Sequence, residues 1–279
     1  EGRFYDLHTE YYPDGYKAAD TVEAITHGDL HGYKLNATIA TIVFGPGGVM
    51  DKLQPSKQFF HDTVDFMPRN HHNINDAAHW YHMHRRQLSS VEYEFELMGK
   101  LLGSMAYRHY CQPFVVVSNH DQAINQWLAN SKVLMDPENL LTWYKLNALN
   151  LERPSFSPFR YLLEKHYKKW HSRNNPNELW FLNEDDSYLL LDEIETALHG
   201  HLGPNGARGA PRNLRTAGKV NSGHTHSAGI IDGVYTAGVY GQLDMGYNKG
   251  LSSWSHSFIL TYKNAKRTIC TIKNGKAWR

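Results

Sequence analysis

The chain predicts an α/β protein in which two mixed β-sheets pack together and are flanked by helices. Three observations lead there. Short apolar runs alternate with helical periodicity through the first two thirds, the final third is rich in strand patterns, and the composition, 41% hydrophobic against 20% charged, is that of a packed globular chain rather than a disordered or fibrous one. With 279 residues there is enough chain for one large domain.

Residues 22–26, VEAIT, read as a short buried strand running into His27-Gly28-Asp29-Leu30-His31. A helix is expected from Asn36 to Phe44, ended by Gly45-Pro46-Gly47-Gly48. KQFFH is a second strand that stops at Asp62. From 73 to 110 the pattern is mostly helical, with Val91, Phe95, Met98, Leu101 and Leu102 at three- and four-residue spacings. PFVVV, 113–117, is a buried strand of the parallel type and delivers Ser118-Asn119-His120-Asp121 at its end. Helical sequence resumes, with starts at Asp136-Pro137-Glu138 and Ser157-Pro158, where a capping side chain precedes a first-turn proline. Between Tyr188 and Leu198 helix and strand compete, and 195–198 is read as strand. The rest is β: 219–222, 233–240, 253–262 and 267–272, the last two joined by a Lys263-Asn264-Ala265-Lys266 turn. No repeat or linker interrupts it. Residues 21–279 are therefore expected to form one domain with helical inserts near 73–110 and 122–180, after an extension at 1–20.

A net charge of +1 argues against a uniformly basic DNA-binding surface but allows local patches. No apolar run approaches the ~18 residues of a membrane span, and EGRFYDLHTE lacks a signal-peptide pattern, so no membrane association is expected. Because residue 1 is not Met, upstream sequence is expected to have been removed or to belong to a longer product. Cys111 and Cys270 are too few for a disulfide scaffold or a thiolate metal cluster and fit a reducing cytoplasm.

The unusual number is 18 histidines, which matters only where positions fit a site. Gly-Asp-Leu-His, Asp-Thr-Val-Asp, Asn-His-Asp, His-Gly-His and Gly-His-Thr-His follow one another, several at expected strand ends. In extended chain, residues two apart point the same way, so Asp29 and His31 can reach one cation while Leu30 enters the core, and the same holds for His224 and His226. Each pair alone is more often a surface feature; the series points to a metal site.

This order resembles the calcineurin-like metallophosphoesterase family, over a stretch from about residue 22 to the final strands. HGHLGPNGARG, GHTHSAG and YNKGLSSW are most similar to a subgroup of tailed-phage metallophosphoesterases that includes pre-early proteins implicated in host DNA degradation. The resemblance implies a four-layer αββα sandwich and, for a phage-encoded protein, a place in the host cytoplasm. It implies one metal held by Asp29, His31 and His226, a second held by Asn119, His199 and His224, and Asp62 bridging both, with His120 facing the substrate. His61 and Ser118 depart from the family by standing where it carries glycine, a residue that permits turns others resist. His199 and His201 compete for the fourth motif, and His199 is chosen because the related His-Gly-Asp pattern places the ligand first.

Two divalent cations about 4 Å apart repel by about 17 kcal/mol at an effective dielectric near 20, so anionic bridges are required. Asp62 supplies one, and a bridging hydroxide supplies another and is the expected nucleophile on phosphorus. Imidazole, carboxylate and amide together point to Mn²⁺, with Mg²⁺, Fe or Zn²⁺ as alternatives. His120 is the candidate general acid for the leaving oxygen. Asp121 is expected to orient it, with Asp65 as a further supporting carboxylate.

Two segments bear on substrate. FRYLLEKHYKKWHSR, 159–173, interleaves cations and aromatics, which suits a polynucleotide track or, alternatively, an amphipathic helix with its aromatics in the core. PNGARGAPRNLRTAGK, 204–219, has no acid and carries Arg208, Arg212, Arg215 and Lys219 on a glycine-rich loop, a pattern that holds phosphate. His72, beside Asn70 and His71, follows Asp62 closely enough to touch substrate, with a solvated loop as the alternative of equal weight. His79, His82 and His84, near Arg85 and Arg86, read as a solvated basic face. DNA therefore leads as the substrate, hydrolysed as a phosphodiester. The alternatives are a nucleotide or cyclic-nucleotide phosphoesterase, a protein phosphatase, and a binding protein without catalysis; homo-oligomer formation stays open.

Overall fold

The computed structural model describes residues 21–69, 73, 75–130, 135–170, 177–246, 248 and 250–278. The extension at 1–20, the Asn70-His71-His72 segment with its candidate substrate residue His72, and Arg173 lie outside the described residues. In chain order the strands are β1 (Val22–Thr26), β2 (Lys57–His61), β3 (Gln112–Val116), β4 (Trp180–Leu182), β5 (Leu189–Leu190), β6 (Ile194–Glu195), β7 (Lys219–Ser222), β8 (Gly229–Ile231), β9 (Val234–Thr236), β10 (Ser257–Tyr262), β11 (Arg267–Lys273) and β12 (Lys276–Trp278). The helices are α1 (Ala37–Phe44), α2 (Val49–Leu53), α3 (Ala77–Arg85), α4 (Val91–Met105), α5 (Ala123–Leu128), α6 (Leu140–Glu152), α7 (Pro158–Trp170) and α8 (Pro211–Leu214).

The strands form two mixed sheets, ordered β12-β11-β10-β1-β2-β3-β4 and β5-β6-β7-β9-β8. In the first, β1 to β4 run parallel and β10 joins β1 antiparallel; in the second, β6, β7 and β9 run parallel. Strand alternation sorts the side chains. Ala24, Phe59, Phe114 and Val116 point from the first sheet toward Leu190, Ile194 and Ala197 of the second, whereas Ile25, Phe60, Val115 and Val117 face the helices. A third, smaller cluster of Leu214, Val220 and Val234 packs α8 on the far side of the second sheet. The order is therefore helices, sheet, sheet, and a thin outer layer.

The helical stretches near 73–110 and 122–180 are the connections between β2, β3 and β4, as parallel strands require. The first breaks into α3 and α4 at residues 86–90, where Ser90 caps α4 by accepting from the Tyr93 amide. Ser157 likewise accepts from the Arg160 amide at the start of α7. The start expected at Asp136-Pro137 moves to Leu140: the Asp136 carboxylate takes hydrogen bonds from Arg69 Nε (2.6 Å) and Asn139 Nδ2 (2.9 Å), and so serves tertiary contacts instead of a cap. The strand expected at 195–198 is shifted to β6, and β4, β8 and β12 are additional strands that the sequence reading did not place. Among the described residues no helix is long and apolar enough to cross a membrane.

Candidate metal centre

Chemistry-bearing residues gather where parallel strands of both sheets end. Asp29 and His31 follow β1, Asp62 follows β2, Asn119 and His120 follow β3, His199 follows β6, and His224 and His226 follow β7. Beyond β1 and β2 the two chains stay joined, the successive amides of Leu30, His31 and Gly32 donating to the carbonyls of His61, Asp62 and Thr63, and this sets His31 beside Asp62. On the other flank, Asp29 Oδ2 accepts from the His224 amide at 2.8 Å, which ties the two sheets together at the site.

Asp29, His31, Asp62 and His226 are buried and offer ligand atoms all within 4.8 Å of one another. His31 Nε2 lies 2.8 Å from His226 Nε2, too close for both to carry protons. Asp62 Oδ2 is 3.6 Å from His31 Nε2 and 3.5 Å from His199 Nε2, and so stands between two imidazole groups. The His199 and His224 rings lie 5.2 Å apart, so His224 faces the His199 side while its neighbour His226 faces Asp29 and His31. Asp29 Oδ1, Asp62 Oδ1, Asn119 Oδ1, His199 Nε2 and His226 Nδ1 are buried without a hydrogen-bond partner. Unpaired buried polar atoms are costly, and so many together fit a site made to receive a cation.

The convergence does not arise from extended chain, as expected from two-residue spacing. His31, Asp62, His224 and His226 all have left-handed backbone, with φ of 50°, 43°, 74° and 58°. Such conformations cost of order 1–3 kcal/mol each and gather at functional sites. His61 and Ser118, where the resemblance led glycine to be expected, have no positive φ, so no glycine is demanded there. Gly223 is demanded: a Cβ there would lie 2.2 Å from Asp29 Oδ1.

Electrostatics reflect the crowding. Burial, and then the Asp62 charge, push Asp29 well above the carboxylate range. Asp62 is held well below it despite burial, through His199, His120 and His31. Burial lowers His199 and His226, and brings His224 to about 4, so these imidazoles are neutral lone-pair donors at neutral pH. His120 is the exception: burial disfavours its charge, but the Asp62 charge and the Asp65 hydrogen bond outweigh this and raise it to about 10.

The carboxylate that orients His120 is Asp65, not Asp121. Asp65 Oδ1 is 3.3 Å from His120 Nδ1 and 3.1 Å from His31 Nδ1. Asp121 instead accepts from Thr63 Oγ1 (2.8 Å) and from the amides of Val64 and Ser118, closing one loop on another. The fourth motif's two histidines also separate. His201 Nε2 donates to Glu184 Oε1 at 2.5 Å, whereas His199 meets Asp62.

Arg208 and Arg212 are exposed and form no ion pair among the described residues, while Arg215 pairs with Asp232 and Lys219 with Glu193. The described part of the 159–173 segment, residues 159–170, lies in the amphipathic α7. Phe159 and Tyr167 are core residues, and Arg160, Lys165, Lys168 and Lys169 pair with Glu164, Glu92, Glu164 and Glu96. Among the described residues it offers no row of unpaired cations. Helix α3 bears His79, His82 and His84 far from these ligands in sequence, and His79 Nε2 bonds the Met67 carbonyl.

Sequence reasoning missed three supports. Glu94 accepts from the Asp65 amide at 3.0 Å and is fully buried, its carboxyl raised to about 8 by burial and by the Asp65 charge. Its signal was a carboxylate on the apolar stripe of Val91, Phe95 and Met98. Trp254 packs edge-on to His226, ring centroids 4.4 Å apart. His61, seen only as a departure from glycine, forms a group with Asp29 and His199.

Fold and site together define an α/β protein of two mixed sheets with a buried histidine–aspartate cluster able to hold a metal ion. No family model matches the chain. It is similar to Protein A1 of Escherichia phage T5, with 39% identity over 286 residues, an alignment that covers 99% of this chain and 50% of that protein. The chain thus spans about half the length of the curated relative it matches.

Proposed function

We propose that this chain is a metal-dependent phosphodiesterase acting on DNA, phage-encoded and active in the host cytoplasm. The observation that carries the reading is the gathering of Asp29, His31, Asp62, His199 and His226 at the joined strand ends of two sheets, with several buried ligand atoms lacking partners. Asp29, His31 and His226 hold one divalent cation, Asn119, His199 and His224 a second, and Asp62 both. The cations, Mn²⁺ for preference, supply charge neutralisation of the phosphate and an activated water.

The protein's own groups do the rest. His120, protonated and aligned by Asp65, donates a proton to the leaving oxygen. The Asp62 charge that sustains its imidazolium is also the charge a bound cation would neutralise, which makes the proton easier to give up. Asp121 and Glu94 hold the loops that carry Asp62 and Asp65 in register. Arg208, on the loop between two ligand segments, and Arg212, on α8 that follows it, form no ion pair among the described residues and grip phosphates of the chain. The resemblance to calcineurin-like metallophosphoesterases and the phage relative support the class and the setting.

The test is to strip the protein with chelator and restore Mn²⁺, Mg²⁺ or Zn²⁺ before offering linear DNA, circular DNA, RNA and a chromogenic phosphodiester. Metal-dependent DNA cleavage is expected, with binding that weakens steeply with salt and a smaller salt slope in Arg208→Ala. Pairing of the α7 cations favours one competing reading, a small-molecule phosphoesterase; salt-insensitive turnover of mononucleotides without DNA cleavage would decide for it.

A further inference from the structure

His61 ends β2 immediately before Asp62 and is fully buried. Alternation places it on the face of β2 that Phe59 presents to the second sheet. Its Nδ1 lies 3.3 Å from Nδ1 of His199, while the other nitrogen of His199, Nε2, lies 3.5 Å from Asp62 Oδ2. The two ends of the His199 ring therefore meet different groups. A neutral imidazole that presents its lone pair through Nε2 must carry its proton on Nδ1. The partner within hydrogen-bond reach of that proton is His61 Nδ1, which must then accept, leaving the proton of His61 on Nε2.

Two further observations fit this arrangement. His61 Nε2 is buried without a partner, and leaving an N–H so is costly. Packing alone would favour an apolar residue such as Phe59, two positions earlier. In addition, the wall opposite is bare backbone: a Cβ at Gly223 would come 3.3 Å from His61 Cβ as well as 2.2 Å from Asp29 Oδ1. We infer that His61 is a positioning residue, which accepts from His199 Nδ1 and so fixes the tautomer and ring orientation that aim His199 Nε2 at the Asp62 side of the site. Carboxylates and carbonyls commonly do this for metal-binding histidines; here an imidazole does it.

The inference rests on the metal-binding reading given above. Its test compares wild type, His61→Phe and His61→Asn, all stripped of metal. Nitrogen-15 NMR of the histidines reads the His199 tautomer, and calorimetry reads Zn²⁺ affinity. Wild type should show His199 protonated at Nδ1. In His61→Phe that preference should be lost and one Zn²⁺ site weakened about 10- to 100-fold, the usual cost of losing such a support. In His61→Asn, whose amide oxygen restores an acceptor, both should largely recover. If His61→Phe does not fold, comparison of His61→Asn with wild type still decides. Wild-type tautomer and affinity in His61→Phe, or a folded His61→Asn that recovers neither, would overturn the inference alone, whereas wild-type protein that binds no Zn²⁺ would overturn the metal reading beneath it.

Discussion

Substitutions at Asp62 and at His120 are expected to fail in different ways. Asp62 stands between His31 and His199, so on the proposed two-metal reading Asp62→Ala would remove the anion that offsets cation repulsion, and at least one ion should be lost from the purified protein. His120 touches Asp65 and is given no metal in the proposed site, so on that reading His120→Ala should keep its metal and its DNA affinity while slowing cleavage by about 10²- to 10⁴-fold. Nitrophenyl diesters, whose leaving group needs little protonation, should suffer much less from His120→Ala, whereas Asp62→Ala should abolish both reactions. Metal analysis with paired rates checks this; equal slowing of both substrates in His120→Ala would remove its role as acid. Ligand types recurring at strand ends made Asp29, His31, Asp62, His199 and His226 legible in the sequence. Which carboxylate meets His120 was not legible, because the choice between Asp65 and Asp121 depends on left-handed turns at Asp62 and Phe66 that no residue type there announces.

The helices that cover the first sheet cross most closely where α4 carries glycine. A Cβ at Gly99 would meet the His166 backbone carbon and Cβ at 2.6 Å, whereas one at Gly103, a turn later, would meet nothing closer than 3.4 Å, at Trp170. Alanine gains about 1 kcal/mol of helix propensity over glycine at either place. At Gly99 that gain is set against overpacking that typically costs 1–3 kcal/mol and here falls on backbone. Gly99→Ala should therefore lower the urea midpoint, and Gly103→Ala should hold or raise it; a stabilised Gly99→Ala would mean that α7 can move away at little cost. Elements with a dense local signal, such as β1, β2, β3 and α4, were legible because their apolar spacing is set by burial on a known period. The strands β4, β8 and β12 were not legible, because three residues are too few for a burial period to show and what makes them strands is the partner each pairs with.

Across the whole molecule the proposed ligands divide between the sheets: Asp29, His31, Asp62 and Asn119 stand on the first, and His199, His224 and His226 on the second. Behind them the apolar contact between the faces is the cluster of Ala24, Phe59, Phe114, Val116, Leu182, Leu190, Ile194 and Ala197, much smaller than the core between the first sheet and the helices, with Asn221 and Arg267 hydrogen-bonding across it. A cation bound by both sets would act as a cross-link that exists only in the folded state. By linkage, an ion at a hundredfold excess over its Kd adds about 2.7 kcal/mol per site, a rise of several degrees in the melting temperature. Chelator-stripped wild type should thus melt several degrees below protein supplied with Mn²⁺ or Zn²⁺, and excess chelator should reverse the gain. Asp62→Ala should show a reduced increment, because it gives up at least one ion, while His120→Ala should show the full one. A melting temperature that ignores both metal and chelator in the wild type would mean that no cation joins the sheets, and the residues at their shared edge would need another explanation for their unpaired polar atoms.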